Sequence, residues 1–354
     1  MISSVYIIAY EFLSHLISTL IPFNMKIDAH PHEYRQKNGR SFSYMRKVIF
    51  APLIGLLLLV VAACGADDVN ENNGEQENNV QANNDVQENS ASTLDELRER
   101  GFVRVGFANE SPYGYENEDG ELTGASVETA KAVFKELGIE EVEGHLADYD
   151  QLVPGLGAGK FDAITSGMAI TPDRCENVSF AEPDMKYGEG LIVQKGNPLN
   201  LHSYKDIADN PDAIVSIMSG ATENDFVISE GVDESQIQGA SDIPGTIAAV
   251  ESGRADATTG TEMTLLQAME SANSDNLEFV EDFEQPDIPG VPSYGAVAFH
   301  PDNQELLEAF NEVLAELKAD GTIQDILEAN GFDRERNFPE DHITTEKVCS
   351  GEEY

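Results

Sequence analysis

The stretch Val103-Arg104-Val105-Gly106-Phe107 decides the fold, because it opens a series of strands that alternate with helices. Its apolar positions alternate, as they do in a strand that is buried on one face. An amphipathic helix is predicted from about 126 to 137, a strand near 142–145, a helix around 151–158 and a strand over 161–164. This order is typical of an α/β fold with a largely parallel sheet.

A second α/β run follows the apolar strand Leu191-Ile192-Val193, and a strand over 294–299 returns toward the first unit. The sequence therefore predicts two lobes joined by two crossings, with the ligand site in the cleft between them. We expect crossings near 191–197 and 293–300, a first lobe of 93–194 and 294–354, and a second lobe of 195–293. Helices are predicted near 203–208, from 222, and over 246–252, 303–318 and 323–329, with a strand over 214–218.

The N-terminal region has the pattern of a targeting segment. Arg46 and Lys47 precede an apolar run from Val48 to Ala63, which is short for a membrane span but suits a signal peptide. The run ends in small residues before Cys64, like a bacterial lipobox in which that cysteine is lipidated. We predict a signal peptide over 1–63, with 1–44 as an extension upstream of the true start at Met45. A short membrane anchor with an incidental cysteine is the alternative.

Residues 64–92 are predicted to be a disordered, lipidated tether. The segment consists almost entirely of Asn, Asp, Glu, Gln, Gly and Ala, so it has too little apolar surface to offset the entropy of ordering. The order of anchor, tether and folded part predicts a lipoprotein held on the outer face of the cell membrane.

Composition excludes several classes of protein. The chain has 21 Lys and Arg against 65 Asp and Glu, a formal charge of −44, so a nucleic-acid partner would be repelled. The 3 cysteines and 7 histidines show no zinc-ligand spacing, and we find no P-loop and no GxSxG motif. Gly155-Leu156-Gly157-Ala158-Gly159 is interpreted as a helix end and turn. We expect no metal, no cofactor and no catalytic residues, and the acidic charge suits a halophile.

Several short motifs, taken in order, resemble the polar amino-acid family of periplasmic-type solute-binding proteins, which serve ABC importers. The resemblance covers about 93–340 and implies the type II periplasmic-binding-protein fold. The motifs are Val103–Phe107, Pro112-Tyr113-Gly114-Tyr115, Leu152-Val153-Pro154-Gly155-Leu156, Gly159-Lys160-Phe161-Asp162-Ala163, Thr171-Pro172-Asp173-Arg174, Gly253-Arg254-Ala255-Asp256-Ala257 and Tyr294–Phe299.

Within that family the chain is most similar to ectoine and hydroxyectoine binding proteins. This resemblance implies a receptor that delivers a zwitterionic compatible solute to the membrane subunits of an importer. It rests on Ala108-Asn109-Glu110, Pro172-Asp173-Arg174-Cys175, Lys195-Gly196-Asn197-Pro198-Leu199, Asp206–Ala213 and a late Cys349.

We predict that Arg174 binds the ligand carboxylate, because a guanidinium matches a carboxylate with two parallel hydrogen bonds. Thr222, at a helix start after Gly220-Ala221, would add hydroxyl and backbone N–H donors. A surface ion pair for Arg174 and a plain helix cap for Thr222 remain the structural alternatives.

The resemblance assigns the cationic end of the ligand to one Glu and three aromatic rings, since aromatic faces attract cations. Glu110, Tyr113 and Tyr149 match three of these positions, while the third aromatic is replaced by Ala169, which follows Gly167-Met168. We include Gly167 and Ala169 in the predicted site, and Tyr115 or Tyr187 could supply the third wall. Packing tyrosines and a solvated Glu110 are the alternatives.

Amino-acid binders of the family commonly place an Asp five residues after the Asp of Gly-Arg-x-Asp. Counting from Asp256 gives Thr261 here, and the neighbouring Glu262 is expected to point elsewhere. An ordinary α-amino acid therefore lacks its usual ammonium partner.

Cys175 and Cys349 are the cysteines left after lipidation, and an oxidising compartment permits a disulfide between them. Two free thiols are the alternative.

Four functions remain open from the sequence, the last of them a sensor or structural lipoprotein that retains the fold and binds no small solute. The favoured one is a receptor for ectoine or hydroxyectoine. A receptor for a polar amino acid or a betaine comes second, and an enzyme resembling cyclohexadienyl dehydratase comes third. A lipid anchor argues against the enzyme, since a soluble metabolic enzyme does not need one.

Overall fold

The computed structural model of this protein describes residues 94–351. The predicted signal peptide, the lipidation at Cys64 and the tether of 64–92 therefore lie outside the described residues. Within 94–351, no helix combines the length and the apolar character needed to cross a membrane. The described residues all fall in one compact unit.

The first lobe is built on a five-stranded sheet whose central strands carry the predicted apolar residues. Strand β1 pairs in parallel with β4 and β5, and the late strand β14 pairs antiparallel with both β5 and β6. The return of the chain to the first unit is thus present in the structure. The sheet order is β4-β1-β5-β14-β6, with β1 Phe102–Phe107, β4 Glu141–Leu146, β5 Ala163–Ile164, β6 Ser179–Phe180 and β14 Ala298–Phe299. A small hairpin pairs β2 Tyr115–Glu116 with β3 Leu122–Thr123.

The second lobe has its own five-stranded sheet, in which parallel and antiparallel pairs are mixed. Strand β9 pairs in parallel with β10 and β11, and β8 pairs antiparallel with β11 and β12. The sheet order is β10-β9-β11-β8-β12, with β8 Glu189–Gln194, β9 Val215–Met218, β10 Ile237–Ala240, β11 Ala257–Thr261 and β12 Leu277–Phe279.

The two crossings between the lobes run side by side. Strand β7 Met185–Tyr187 pairs antiparallel with β13 Ser293–Gly295 in a two-stranded ribbon. The first crossing therefore precedes Glu189, rather than lying near 191–197 as the sequence predicted, because β8 pairs only within the second sheet. The predicted strand over 294–299 is likewise two strands, one in the ribbon and one in the first sheet.

Helices cover both sheets. In the first lobe, Phe134 on α2 packs edge-to-face against Phe310 on α9, with ring centroids 5.4 Å apart, and Phe299 of the sheet packs against the same Phe310 ring at 5.1 Å. These contacts fix the C-terminal helices onto the first sheet. The helices are α1 Leu94–Arg100, α2 Ala125–Glu136, α3 Leu152–Gly157, α4 Pro172–Cys175, α5 Tyr204–Ala208, α6 Glu223–Ser229, α7 Ile243–Glu251, α8 Glu262–Ala272, α9 Gln304–Ala319, α10 Thr322–Ala329 and α11 Thr345–Ser350.

The motif residues around Phe161 have a structural role. Its ring lies so close to Gly106 and Gly155 that a Cβ at either position would come within 2.6 and 2.8 Å of it. The next residue, Asp162, is buried and forms ion pairs with Arg100 and Arg104. Burial alone would raise the pKa of Asp162, but the hydrogen bonds from Arg104 and the two positive charges lower it. The Gly-rich segment after Pro154 is the end of α3, as predicted.

Candidate functional site

Arg174 connects the two lobes at the cleft. It lies in the short helix α4, which Thr171 caps by accepting a hydrogen bond from the Arg174 backbone N–H. Its guanidinium donates to the Ala169 carbonyl of the first lobe at 2.8 Å and to the Gly220 carbonyl of the second at 2.9 Å. The predicted carboxylate-binding residue is therefore in the cleft and is not a surface ion pair.

Tyr149 lies directly beneath this guanidinium, with the Arg174 Cζ atom 5.5 Å from its ring centroid. Tyr149 is buried, and burial raises the pKa of its hydroxyl to about 12. The aromatic face and the cation thus stabilise each other at the point where the lobes meet.

Tyr113 is the centre of a buried aromatic cluster. Its ring contacts Tyr187 and Phe332 edge-to-face, with centroids 5.3 and 5.4 Å away. Of the two tyrosines suggested as a third wall, Tyr187 joins this cluster, whereas Tyr115 lies in the β2–β3 hairpin. The Tyr187 hydroxyl donates to the Gly167 carbonyl at 2.7 Å.

Gly167 and Ala169 shape the same cluster. Gly167 has φ +58°, and a Cβ there would lie 2.3 Å from Cδ1 of Tyr113. Ala169 is buried, forms a β-bridge to Gly295 and packs with Tyr113 and Tyr187. Gly167 and Ala169 therefore let the rings of Tyr113 and Tyr187 lie close to the backbone near Gly295, at the second crossing between the lobes.

Glu110 is buried at the cleft, so it is not a solvated surface acid. It accepts a hydrogen bond from the Thr264 hydroxyl of the second lobe at 2.7 Å. Burial raises the pKa of Glu110 to about 7; the Thr264 hydrogen bond and Arg174 oppose this rise, and Glu223 adds to it.

A chain of hydroxyl groups ties Tyr113 to Glu110 through the second lobe. The Tyr113 hydroxyl donates to Thr261 at 2.9 Å, Thr261 donates to Thr264 at 3.0 Å, and Thr264 donates to Glu110. Thr261 thus faces the site. Its neighbour Glu262 points elsewhere, toward Arg336, with Nη1 and Oε1 3.3 Å apart.

Thr222 lies at the start of α6, in the N-cap position, but its side chain makes no capping hydrogen bond. The plain-cap alternative is therefore not what the structure contains. Thr222 lines a groove of about 840 Å³ together with Arg174 and Gly220. Glu110 and Thr264 line a different groove, of about 360 Å³.

The sequence did not reveal two carboxylates that are buried at the cleft. Glu189 opens β8 and Glu223 opens α6, and their side chains belong to residues only 1% and 4% exposed. Burial raises the pKa of both carboxyls, and their mutual repulsion raises that of Glu189 further. A Glu at the head of the apolar strand Glu189-Gly190-Leu191-Ile192-Val193 was the signal that could have revealed the first of them.

Cys175 and Cys349 form a disulfide, with Cα atoms 5.8 Å apart. It joins α4, which carries Arg174, to the C-terminal helix α11. Across 94–351, no group of three or more His, Cys, Asp or Glu side chains is arranged to hold a metal ion.

The comparisons with known proteins agree on one family. Residues 103–331 match the model of the bacterial extracellular solute-binding proteins, family 3. A probable amino-acid ABC transporter periplasmic-binding protein of Sinorhizobium fredii is 35% identical over 264 residues, which cover 73% of this chain and 87% of that protein.

The solved structures that are similar to this fold include two complexes of binding proteins. EhuB in complex with hydroxyectoine is 34% identical, with a TM-score of 0.67, and the match covers 73% of this chain and 98% of EhuB. An ancestral arginine-binding protein bound to arginine is 30% identical, with a TM-score of 0.58, and the match covers 66% of this chain and 99% of that protein.

Proposed function

We propose, from the premise that this chain belongs to family 3 of the bacterial extracellular solute-binding proteins, that its cleft captures ectoine or hydroxyectoine for an ABC importer. The family consists of transport receptors rather than enzymes, and this chain is a solute-binding protein for amino acids or related solutes. Its fold is the type II periplasmic-binding-protein fold.

The observation that carries the proposal is the position of Arg174 between both lobes. Its guanidinium lies over Tyr149 and reaches the Gly220 loop, next to Thr222. A carboxylate that enters here would take the place of the backbone carbonyls and gain charge-assisted hydrogen bonds from Arg174 and the Thr222 hydroxyl. The likeness to a hydroxyectoine complex points to the same ligand class.

The other end of the ligand would lie against Glu110 and the tyrosine cluster. Ectoine carries a delocalised amidinium, which is a flat cation with N–H groups. The carboxylate of Glu110 would accept from such an N–H group, and the faces of Tyr113 and Tyr149 would stabilise the positive ring. Tyr187 would supply the third aromatic wall, which is missing because Ala169 stands at that position.

We further propose that Cys64 is lipidated and that 64–92 tethers the receptor to the outer face of the membrane. This arrangement would keep the two lobes, which meet at the β7–β13 ribbon, near the importer's membrane subunits.

Calorimetric titration of the purified protein in high salt tests the ligand. The compounds are ectoine, hydroxyectoine, glycine betaine, glutamine and arginine. We expect ectoine or hydroxyectoine to bind most tightly, and Arg174→Ala to weaken binding by at least about a hundredfold, because a bidentate charged contact is lost. Tight binding of glutamine or arginine alone would instead establish an amino-acid receptor.

A further inference from the structure

Glu189 and Glu223 are buried at the cleft without serving any contact assigned above. Neither carboxylate oxygen of Glu189 has a hydrogen-bond partner within 94–351, although the residue is 1% exposed. A buried charged group without a partner is costly, so a side chain kept in this state needs a reason.

The geometry directs Glu189 toward the first lobe. On adjacent antiparallel strands, Glu189 is directly opposite Thr261, and opposite residues project from the same face of the sheet. The Thr261 hydroxyl accepts from Tyr113, which belongs to the first lobe. The Glu189 carboxylate is therefore on the same face of the second sheet as the Thr261 hydroxyl, beside Tyr204, and its charge acts on Tyr113 of the first lobe.

Glu223 lies near the same end of the second sheet. It follows Thr222 directly, and its Oε1 atom is 4.0 Å from the position that a Cβ on Gly260 would take. Gly260 is the residue before Thr261 in β11. The two carboxylates thus flank the Gly260-Thr261 end of β11.

The nearby donors are engaged elsewhere. Thr259 donates to the Gly190 carbonyl at 2.8 Å, so the Tyr204 hydroxyl, 2.6 Å from Thr259, is the donor in that pair. Arg174 donates to the carbonyls of Ala169 and Gly220. The polar groups beside Glu189 are the Tyr204 hydroxyl and the Glu223 carboxyl, and neither makes a hydrogen bond of normal geometry to its oxygens within 94–351.

We propose that Glu189 and Glu223 form the second-lobe half of the ligand site and accept N–H donors from the cationic group of the solute. This inference rests on the proposed function, and it narrows the ligand class to cations with at least two N–H groups. An amidinium or guanidinium meets that requirement, because one N–H group can face Glu110 and another the second-lobe pair. A quaternary ammonium has none.

Binding would release protons. Burial raises the pKa of both carboxyls in the free protein, the charge of Glu223 raises that of Glu189 further, and a bound cation lowers both pKa values again. Affinity for the cationic ligand is therefore expected to increase as pH rises toward the raised pKa values and then to level off. The charged and titratable groups that act on this pair from the surrounding elements are Glu110, Tyr113, Tyr149, Arg174 and Tyr204.

The test uses the full chain and the variants Glu189→Gln, Glu223→Gln and the double variant. Ectoine and arginine are titrated in buffers of different ionisation enthalpy, which gives both the affinity and the protons released. We expect each single variant to weaken binding of the preferred probe by at least about tenfold, because charge-assisted hydrogen bonds are removed. The double variant should release fewer protons than the unchanged protein, and the remaining release comes from Glu110. Glu262→Gln is the matched control, since Glu262 adjoins Thr261 but faces Arg336.

The two proposals fail in different ways. If Arg174→Ala abolishes ectoine binding while the double variant binds ectoine like the unchanged protein, the inference is overturned and the proposed function stands. If arginine binds instead of ectoine and the double variant loses it, the ligand assignment is wrong and the inference stands. Binding of no probe contradicts both.

A measurement on the unchanged protein guards against variants that fail to fold. Glycine betaine has a carboxylate but no N–H group, so it should bind at least about tenfold more weakly than the preferred probe. Equal affinity for betaine, or binding without any proton release at pH values above the ordinary Glu pKa of about 4.3, would contradict the role of the pair.

Discussion

Gly167 positions the central tyrosine of the site through its lack of a side chain. Its backbone has φ +58°, its carbonyl accepts from Tyr187, and the Tyr113 ring occupies the space where a Cβ would be. Tyr113 in turn starts the hydroxyl chain that ends at Glu110. A substitution at Gly167 should therefore weaken ligand binding.

We predict that Gly167→Ala destabilises the protein by about 2–5 kcal/mol and weakens ligand binding. About 1–2 kcal/mol comes from the left-handed backbone and about 1–3 kcal/mol from displacing Tyr113. Urea unfolding and calorimetric titration measure the two effects.

Gly120→Ala is the matched control, because Gly120 has φ +77° and no atom within 4 Å of an added Cβ. It should lose only the backbone contribution and keep its affinity. Equal losses in the two variants would mean that Tyr113 is not displaced.

The charged residues of the site differ in how far the sequence revealed them. Arg174 and Glu110 lie in motifs that could be aligned with a family, so they were predicted. Glu189 and Glu223 are two of 65 acidic residues; the apolar run that follows Glu189 is the one local sign of burial, and Glu223 has none. Their burial arises from the pairing of β8 with β11 and from the packing of α6, which are contacts between distant segments.

At the level of the elements, the disulfide connects a functional helix to the end of the chain. Helix α4 has four residues and carries Arg174 beside Cys175, while α11 carries Cys349. A helix this short gains little from its own hydrogen bonds, so the covalent link contributes to holding Arg174 in place.

We predict that the double variant Cys175→Ser and Cys349→Ser loses about 2–4 kcal/mol of unfolding free energy, because its unfolded chain is less constrained. The measurement is urea unfolding with and without reductant. Reductant should bring the unchanged protein to the midpoint of the variant and leave the variant itself unaltered. Two reactive thiols in the denatured, unreduced Cys64→Ser protein would show that the bridge does not form.

The elements that the sequence predicted are those with a strong local pattern. Strand β1 and helix α2 agree with the prediction to within a residue or two, and the apolar segment at 191–193 is indeed a strand. What the pattern could not give is the sheet to which that strand belongs. Its partners β11 and β12 come more than 60 residues later, and these strands, together with β10, α8 and α11, were not predicted.

At the level of the whole molecule, charge is the dominant feature. With 65 acidic and 21 basic residues, the folded protein experiences strong self-repulsion at neutral pH. Salt screens such repulsion, since the Debye length falls from about 10 Å at 0.1 M to about 3 Å at 1 M.

We predict that the melting temperature at pH 7 rises as NaCl increases from about 0.1 to about 1 M, by about 2–4 °C for each kcal/mol of repulsion removed. Thermal unfolding followed by circular dichroism measures this. The same salt series near pH 4, where many carboxylates are protonated, should give a smaller rise. A melting temperature that does not change with salt concentration at pH 7 would show that the acidic surface does not limit stability.

The disulfide between Cys175 and Cys349, which are 174 positions apart, closes a covalent ring that contains all the residues between them. Both strands of the crossing ribbon, 185–187 and 293–295, lie inside that ring, and so does the whole second sheet. A single proteolytic cut anywhere between the two cysteines therefore does not separate the fragments. A nicked receptor would migrate as one band on a non-reducing gel and as two after reduction, and its lobes would stay linked after the main chain is broken.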